Sequence, residues 1–230
     1  MKTHLLRAHP NRLKHQCSIS SPSLQAPILA QHESVSDRCI RSWAEAEAEQ
    51  NHYTKAISLL SQLIHRHPQN AIDYNNRGLI YFQNGQLEQA IADYNTAIQL
   101  NPLLASTYNN RANYYAAVGQ LLAAIADYDR AIDLNPSHVR AWINRGITWR
   151  DLGRYEQAIE DFDLALLLGQ LKGHIYAERG RTYQFWGDWN YSVADYHRAL
   201  AQVAQQGASS SASRLRLQVE TWLQELIHLS

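Results

Sequence analysis

The chain has 230 residues, with 21 Lys+Arg balanced by 21 Asp+Glu and 45% hydrophobic residues. Zero formal charge provides no basic footprint for a phosphate backbone, so no nucleic acid partner is expected. Every apolar run is cut within a turn or two, short of the roughly 20 residues that cross a bilayer, so no membrane insertion is expected. The only two cysteines, Cys17 and Cys39, lack metal-ligand spacing and are too few for a disulfide framework, which suggests a reducing, cytoplasmic setting.

Residues 1–36 show no hydrophobic period. Lys2, Arg7, Arg12 and Lys14 precede the first acid, Glu33. This composition favours a disordered tail, with targeting to an organelle as the alternative, because an acid-poor basic start has transit-peptide character.

Residues 37–70 hold Ala56, Leu60, Leu63 and Pro68, with Ile40 and Trp43 in their first half. These are remnants of a pattern whose full form begins at 71, where a spacing of 34 takes over. Tyr74, Tyr108, Trp142 and Tyr176 keep it, as do Arg77, Arg111, Arg145 and Arg179, and Gly78, Ala112, Gly146 and Gly180. Gly85, Gly119, Gly153 and Gly187 follow the same register, then Tyr94, Tyr128, Phe162 and Tyr196, and then Ala97, Ala131, Ala165 and Ala199. Within each unit the apolar positions are helical: Tyr74, Gly78 and Tyr81 fall at i, i+4, i+7, and Leu87, Ala90, Ile91, Tyr94 and Ala97 form a second stripe. A glycine between the stripes suits the left-handed end of a first helix. Asn101-Pro102 and Asn135-Pro136 stop the second, since proline cannot continue it. Small residues in the first helix allow close approach of the second. Residues 207–213 are a Ser-rich linker, and 214–230 place Leu215, Val219, Trp222, Leu223 and Leu226 on one face of a further helix.

These residues resemble the tetratricopeptide repeat (TPR), a 34-residue helix-turn-helix unit. The resemblance covers 37–206, with a degenerate repeat at 37–70 and full repeats at 71–104, 105–138, 139–172 and 173–206, the last two lacking the closing proline. It implies an all-α fold, an α-solenoid of about five hairpins whose open end the 214–230 helix caps. The Asn-Arg-Gly, Ala-Asp-Tyr and Leu-Asn-Pro wording is similar to cyanobacterial and plastid TPR proteins, some of which assist photosystem assembly.

No segment carries a catalytic motif. The eleven histidines form no His-Glu-x-x-His array, the glycines are used by turns, and no nucleophile motif occurs. The expectation is a non-enzyme without metal or cofactor. Two polar series remain. Arg77, Arg111, Arg145 and Arg179 are each followed sixteen residues later by Asp93, Asp127, Asp161 and Asp195. A structural ion pair explains both series; an arginine row gripping an acidic ligand is the alternative.

The second series is Asn76, Asn110 and Asn144, with Asn75, Asn109 and Asn113 alongside. The TPR resemblance places these on a concave groove, where an amide can both donate to and accept from an extended peptide backbone. The resemblance adds Ile72, Leu79, Phe82, Ile143, Ile147 and Phe185 as apolar pockets. Polar groove residues that merely keep the solenoid soluble fit the asparagines equally well. The carboxylate clamp by which some TPRs hold chaperone C-termini is not expected. Its place is taken by Asn109, Asn113, Asn144, His174 and Glu178, and the last would repel a carboxylate. The expected function is an adaptor or assembly factor that binds a protein or peptide segment. The alternatives are a self-associating structural module and a regulatory subunit of a separate enzyme.

Overall fold

A computed structural model of the chain describes residues 36–205 and 209–229. Every regular element among them is an α-helix: α1 (Asp37–Glu49), α2 (Tyr53–Arg66), α3 (Ala71–Gln83), α4 (Leu87–Leu100), α5 (Ala105–Ala117), α6 (Leu121–Leu134), α7 (Val139–Asp151), α8 (Tyr155–Leu167), α9 (Lys172–Trp186), α10 (Trp189–Gln205) and α11 (Ser210–Leu229). Helices α1–α4 belong to one compact unit and α5–α11 to another. Within each, consecutive helices pair as hairpins, the all-α architecture expected of TPRs.

Of the expected tail, only Ser36 falls within the described residues; its hydroxyl caps α1 by accepting from the Cys39 N–H. Cys39 is disulfide-bonded, whereas so few cysteines suggested a reducing setting, and Cys17 lies outside the described residues.

The hairpin turns follow directly from residue type. Gly85, Gly119, Gly153 and Gly187 all have positive φ, from +74° at Gly153 to +89° at Gly187, a region costly for a side chain with Cβ. The degenerate first hairpin uses Asn51 in the same register, at φ +63°, and the Tyr53 hydroxyl donates to its side-chain oxygen at 2.8 Å. Asparagine is one of the few other residues that visit this region readily. Where the closing proline is missing, Gly169 stops α8 at φ +76° and Leu171 takes φ +53° before α9. Ala204 replaces the last proline, and α10 accordingly runs on to 17 residues against 14 in α4 and α6.

Close packing within the hairpins explains the small residues of the first helices. A Cβ on Gly78 would lie 2.9 Å from the Tyr94 ring, and one on Gly180 equally close to Tyr196. The rings at these positions are fully buried, together with alanines 90, 97, 124, 131, 158, 165 and 199. In the α1–α4 unit, Ile40, Ala44, Ala56, Leu60, Leu63 and Ile80 form one core cluster.

In the second unit, α11 packs on both α9 and α10 through Ala212, Leu215, Val219 and Leu226, with Trp222 and Leu223 partly buried beside them. It begins at Ser210, inside the expected linker. The Ser209 hydroxyl accepts from the Ala212 N–H at 3.1 Å, and burial of Ala212 draws this turn into the helix.

Candidate functional site

Each arginine of the 34-residue series forms a two-pronged bond with the aspartate sixteen residues on. Arg77 Nε and Nη2 donate to Asp93 at 2.8 Å each, Arg111 to Asp127 at 2.7 and 2.8 Å, Arg145 to Asp161 at 2.8 and 2.6 Å, and Arg179 to Asp195 at 2.6 and 2.9 Å. All four aspartates are buried. Hydrogen bonding to the aspartate outweighs burial and holds the Arg77 and Arg111 guanidinium groups above their already high ordinary range. Aromatic rings flank the forks: Arg77 lies over Tyr74 and Tyr81 at 5.7 and 5.6 Å, and Arg145 over Trp142 at 4.8 Å.

A third contact escapes the sequence reading. Arg77 Nη1 donates to Ser61 at 3.0 Å, Arg145 Nη1 to Asp129 at 2.6 Å, and Arg179 Nη1 to Asp163. Each acceptor lies sixteen residues before its arginine, on the second helix of the preceding repeat, so the fork ties neighbouring hairpins as well as the two helices of one. The signal was available, since Asp129 and Asp163 are themselves 34 apart. Arg41, which donates to the fully buried Asp73 at 2.5 and 2.9 Å, ties α1 to α3 and has no such periodic signature. Arg77, Arg145 and Arg179 thus each donate through all three guanidinium nitrogens to groups of the chain itself.

The asparagines depart from the expected open row. Asn75, Asn109, Asn110, Asn113 and Asn144 are buried, and only Asn76 is partly exposed. Asn113 Oδ1 accepts from the Tyr128 hydroxyl at 2.6 Å and from Asn144 Nδ2 at 3.0 Å, joining α5, α6 and α7. Asn109 Nδ2 donates to Asn110 at 3.3 Å, and Asn75 Nδ2 to Asn76 at 3.2 Å. Asn113 and Asn144 are buried where each amide meets a polar group of a neighbouring helix, whereas Asn109 Oδ1 is buried with no hydrogen-bond partner among the described residues. Ile143 and Ile147 are likewise corrected from groove pockets to core: both are fully buried, in a cluster with Phe162 and Ile175.

The register of Asn113 links each repeat's second-helix ring to its surroundings. Leu79 stands there in the preceding repeat, and the fully buried Tyr94 hydroxyl has no hydrogen-bond partner among the described residues. Ile147 stands there in the following repeat, where the ring is Phe162 and needs none. Burial pushes the Tyr94 and Tyr128 phenols well above their ordinary range. The Tyr196 hydroxyl finds Gln184 at 2.6 Å.

What remains accessible is different in each unit. On α3, Ile72 is 48% exposed and Asn76, Leu79 and Phe82 are partly exposed, at i, i+4, i+7 and i+10 along one face. Ile72 also lines an open cleft with Arg66, His67, Asn70 and Asn101, where Asp37 takes His67 at 2.7 Å and Arg66 at 3.5 Å. On α9, Phe185 is exposed, with Arg181 at 4.8 Å and Arg150 at 5.9 Å from its ring centre. Glu178 receives Arg150 Nη1 at 2.7 Å, so its charge is matched, while the three asparagines of the would-be clamp, Asn109, Asn113 and Asn144, are buried. Among the described residues no group of three or more His, Cys, Asp or Glu is placed to hold a metal ion, and no helix is long and apolar enough to cross a membrane.

No curated protein matches the chain. Among solved structures it is similar to TTC0263, a thermophilic TPR protein in Thermus thermophilus, at 18% identity and a TM-score of 0.70 over 82% of this chain and 99% of that one. It is also similar to MamA, at 20% identity and 0.61 over 71% and 95%, and to MamA from Desulfovibrio magneticus RS-1, at 13% and 0.63 over 75% and 97%. These likenesses show the fold. Family models described as TPR repeat or tetratricopeptide repeat match residues 43–70, 59–92, 78–119 and 109–173. Four overlapping matches that run without a break from 43 to 173, over hairpins with the repeat's own turn, register and two-layer packing, place the chain in the tetratricopeptide repeat family.

Proposed function

We propose that the chain is a protein–protein interaction scaffold, with α3 as the element that receives an extended segment of a partner. The observation that carries this is the stripe Ile72, Asn76, Leu79 and Phe82, which stays accessible on a helix whose other faces are committed to packing. Three apolar side chains separated by turns offer successive shallow contacts, and the Asn76 amide adds one group able to bond a peptide backbone. The repeat wording shared with cyanobacterial and plastid TPR proteins supports an assembly-factor role.

The buried asparagines leave the expected ladder reduced to Asn76. Binding at this stripe therefore rests on apolar contact more than on a row of amides. Capture from native extract followed by cross-linking, with wild type and with Ile72→Ser/Phe82→Ser compared at matched circular dichroism, tests the reading. Loss of the captured partner is expected. Equal capture by a folded double variant removes α3 as the site.

A further inference from the structure

The turn between α9 and α10 carries aromatic surface that the fold does not need. Trp186 and Trp189 are each 48% exposed and Tyr191 is 58% exposed. Two ring pairs hold the group in place: Trp186 lies 6.5 Å from Tyr155 of α8, and Tyr191 stacks on Tyr183 at 5.1 Å with the planes 24° apart.

The other repeats serve as internal controls. In the register of Trp186 they have Asn84, Val118 and Leu152, and in that of Tyr191 they have Gln89, Ala123 and Gln157. Those hairpins form with the same turn, so rings at 186 and 191 are not required to make it.

Charge and size narrow what covers this edge. The segments that carry it, 154–160 and 183–193, hold Glu156, Glu160 and Asp188 against a single base, Arg154. Asp188 sits between the two tryptophans and accepts from the Tyr191 N–H at 3.3 Å. Aromatic faces beside carboxylates attract a cation, above all the flat guanidinium. The same chemistry operates inside the molecule, where Arg181 lies 4.8 Å from Phe185 and 5.1 Å from Trp222 and donates to Glu225 at 2.5 Å. Half of three large rings is roughly 300 Å², well below the roughly 800 Å² per partner of a stable protein interface, which fits a short segment and not a second folded copy. The carboxylates also oppose an anionic membrane surface.

We propose that the α9–α10 edge, built from Tyr155, Tyr183, Trp186, Asp188, Trp189 and Tyr191, is a docking site for an arginine-bearing segment of a partner protein. This deepens the scaffold reading by giving a second surface and the chemistry of its occupant.

The test uses the full chain and a ten-residue Arg/Gly peptide, with the citrulline peptide as its neutral isostere, followed by tryptophan fluorescence and calorimetry. Two variants separate stacking from charge. Trp186→Asn/Tyr191→Gln installs the residues of the 71–104 repeat, and Asp188→Asn keeps the cap on α10 while removing its charge. Saturable binding of the arginine peptide that weakens about tenfold with citrulline or with the double aromatic variant, and about threefold with Asp188→Asn, is the expected result. Thermal unfolding confirms that each variant is folded. No binding by wild type, equal binding of the citrulline peptide, or equal binding by a folded aromatic variant overturns the proposal. Binding to phosphatidylcholine vesicles without binding to the peptide overturns it in favour of a lipid surface. The stripe on α3 is intact in every variant, so failure here is distinguishable from failure of the α3 reading.

Discussion

The same substitution, Tyr→Phe, should have opposite effects in two equivalent places. Tyr94 and Tyr128 are 34 residues apart, both rings are fully buried, and each packs against the first helix of its own hairpin. The Tyr128 hydroxyl donates to Asn113 at 2.6 Å, whereas the Tyr94 hydroxyl has Leu79 in that register and no partner among the described residues. Tyr128→Phe loses a net hydrogen bond worth about 0.5–1.5 kcal/mol, and Asn113 Oδ1 keeps its bond from Asn144. Tyr94→Phe instead removes a hydroxyl whose unsatisfied burial costs about 1–3 kcal/mol, so that variant should gain about 1 kcal/mol. The two midpoints should therefore separate by about 2 kcal/mol, or several degrees in Tm, with wild type between them. Urea and thermal unfolding followed by circular dichroism read this directly. Asn113→Leu extends the argument by copying Leu79 into the second full repeat. It removes the oxygen that accepts from both the Tyr128 hydroxyl and the Asn144 amide, which should cost about 1–3 kcal/mol, and adding Tyr128→Phe should recover part of that loss. If Tyr94→Phe destabilises as much as Tyr128→Phe, hydrogen-bond satisfaction at this register is not what distinguishes the repeats.

Arg145→Leu leaves Asp161 buried without its fork and should cost about 3–5 kcal/mol, with the Arg145→Leu/Asp161→Leu pair costing less than the sum of the singles in a double-mutant cycle. Asp129→Asn at the outer contact of the same guanidinium should cost no more than about 1 kcal/mol, because that carboxylate is half in water and salt screens it; urea midpoints at low and high salt check this. Trp222→Ala removes contact with the Tyr196 ring at 5.9 Å and with Arg181, and should cost about 2–3 kcal/mol given the partial exposure of Trp222. A chain ending at Gly207 should lose more and self-associate in light scattering; one that melts like the full protein and stays monomeric would show that α11 is no cap.

Much of the fold is legible in the sequence because it is local and repeated. The hairpin turn depends on one glycine, or on Asn51, adopting positive φ, and no distant residue is needed to read it. The Arg–Asp forks are legible for the same reason: both partners lie within one hairpin, sixteen residues apart, and recur at the same offset. Tertiary structure alone decided which faces of the first helices stay open. A periodic pattern specifies the direction of a side chain about its own helix axis, but what that side chain meets depends on the rotation between successive hairpins. Asn113 and Asn144 meet across 31 residues and become a buried pair instead of two groove amides, and Ile143 and Ile147 pass into the core by the same packing. The start of α11 was decided in this way too, since the contacts that bury Ala212 and Leu215 on α9 and α10 outweigh the low helix propensity of a serine run. The aromatic edge at the α9–α10 turn is the converse case. Its residues break the repeat wording at positions the turn leaves to solvent, and only the pairing of Trp186 with Tyr155 and of Tyr191 with Tyr183 gathers them into one surface.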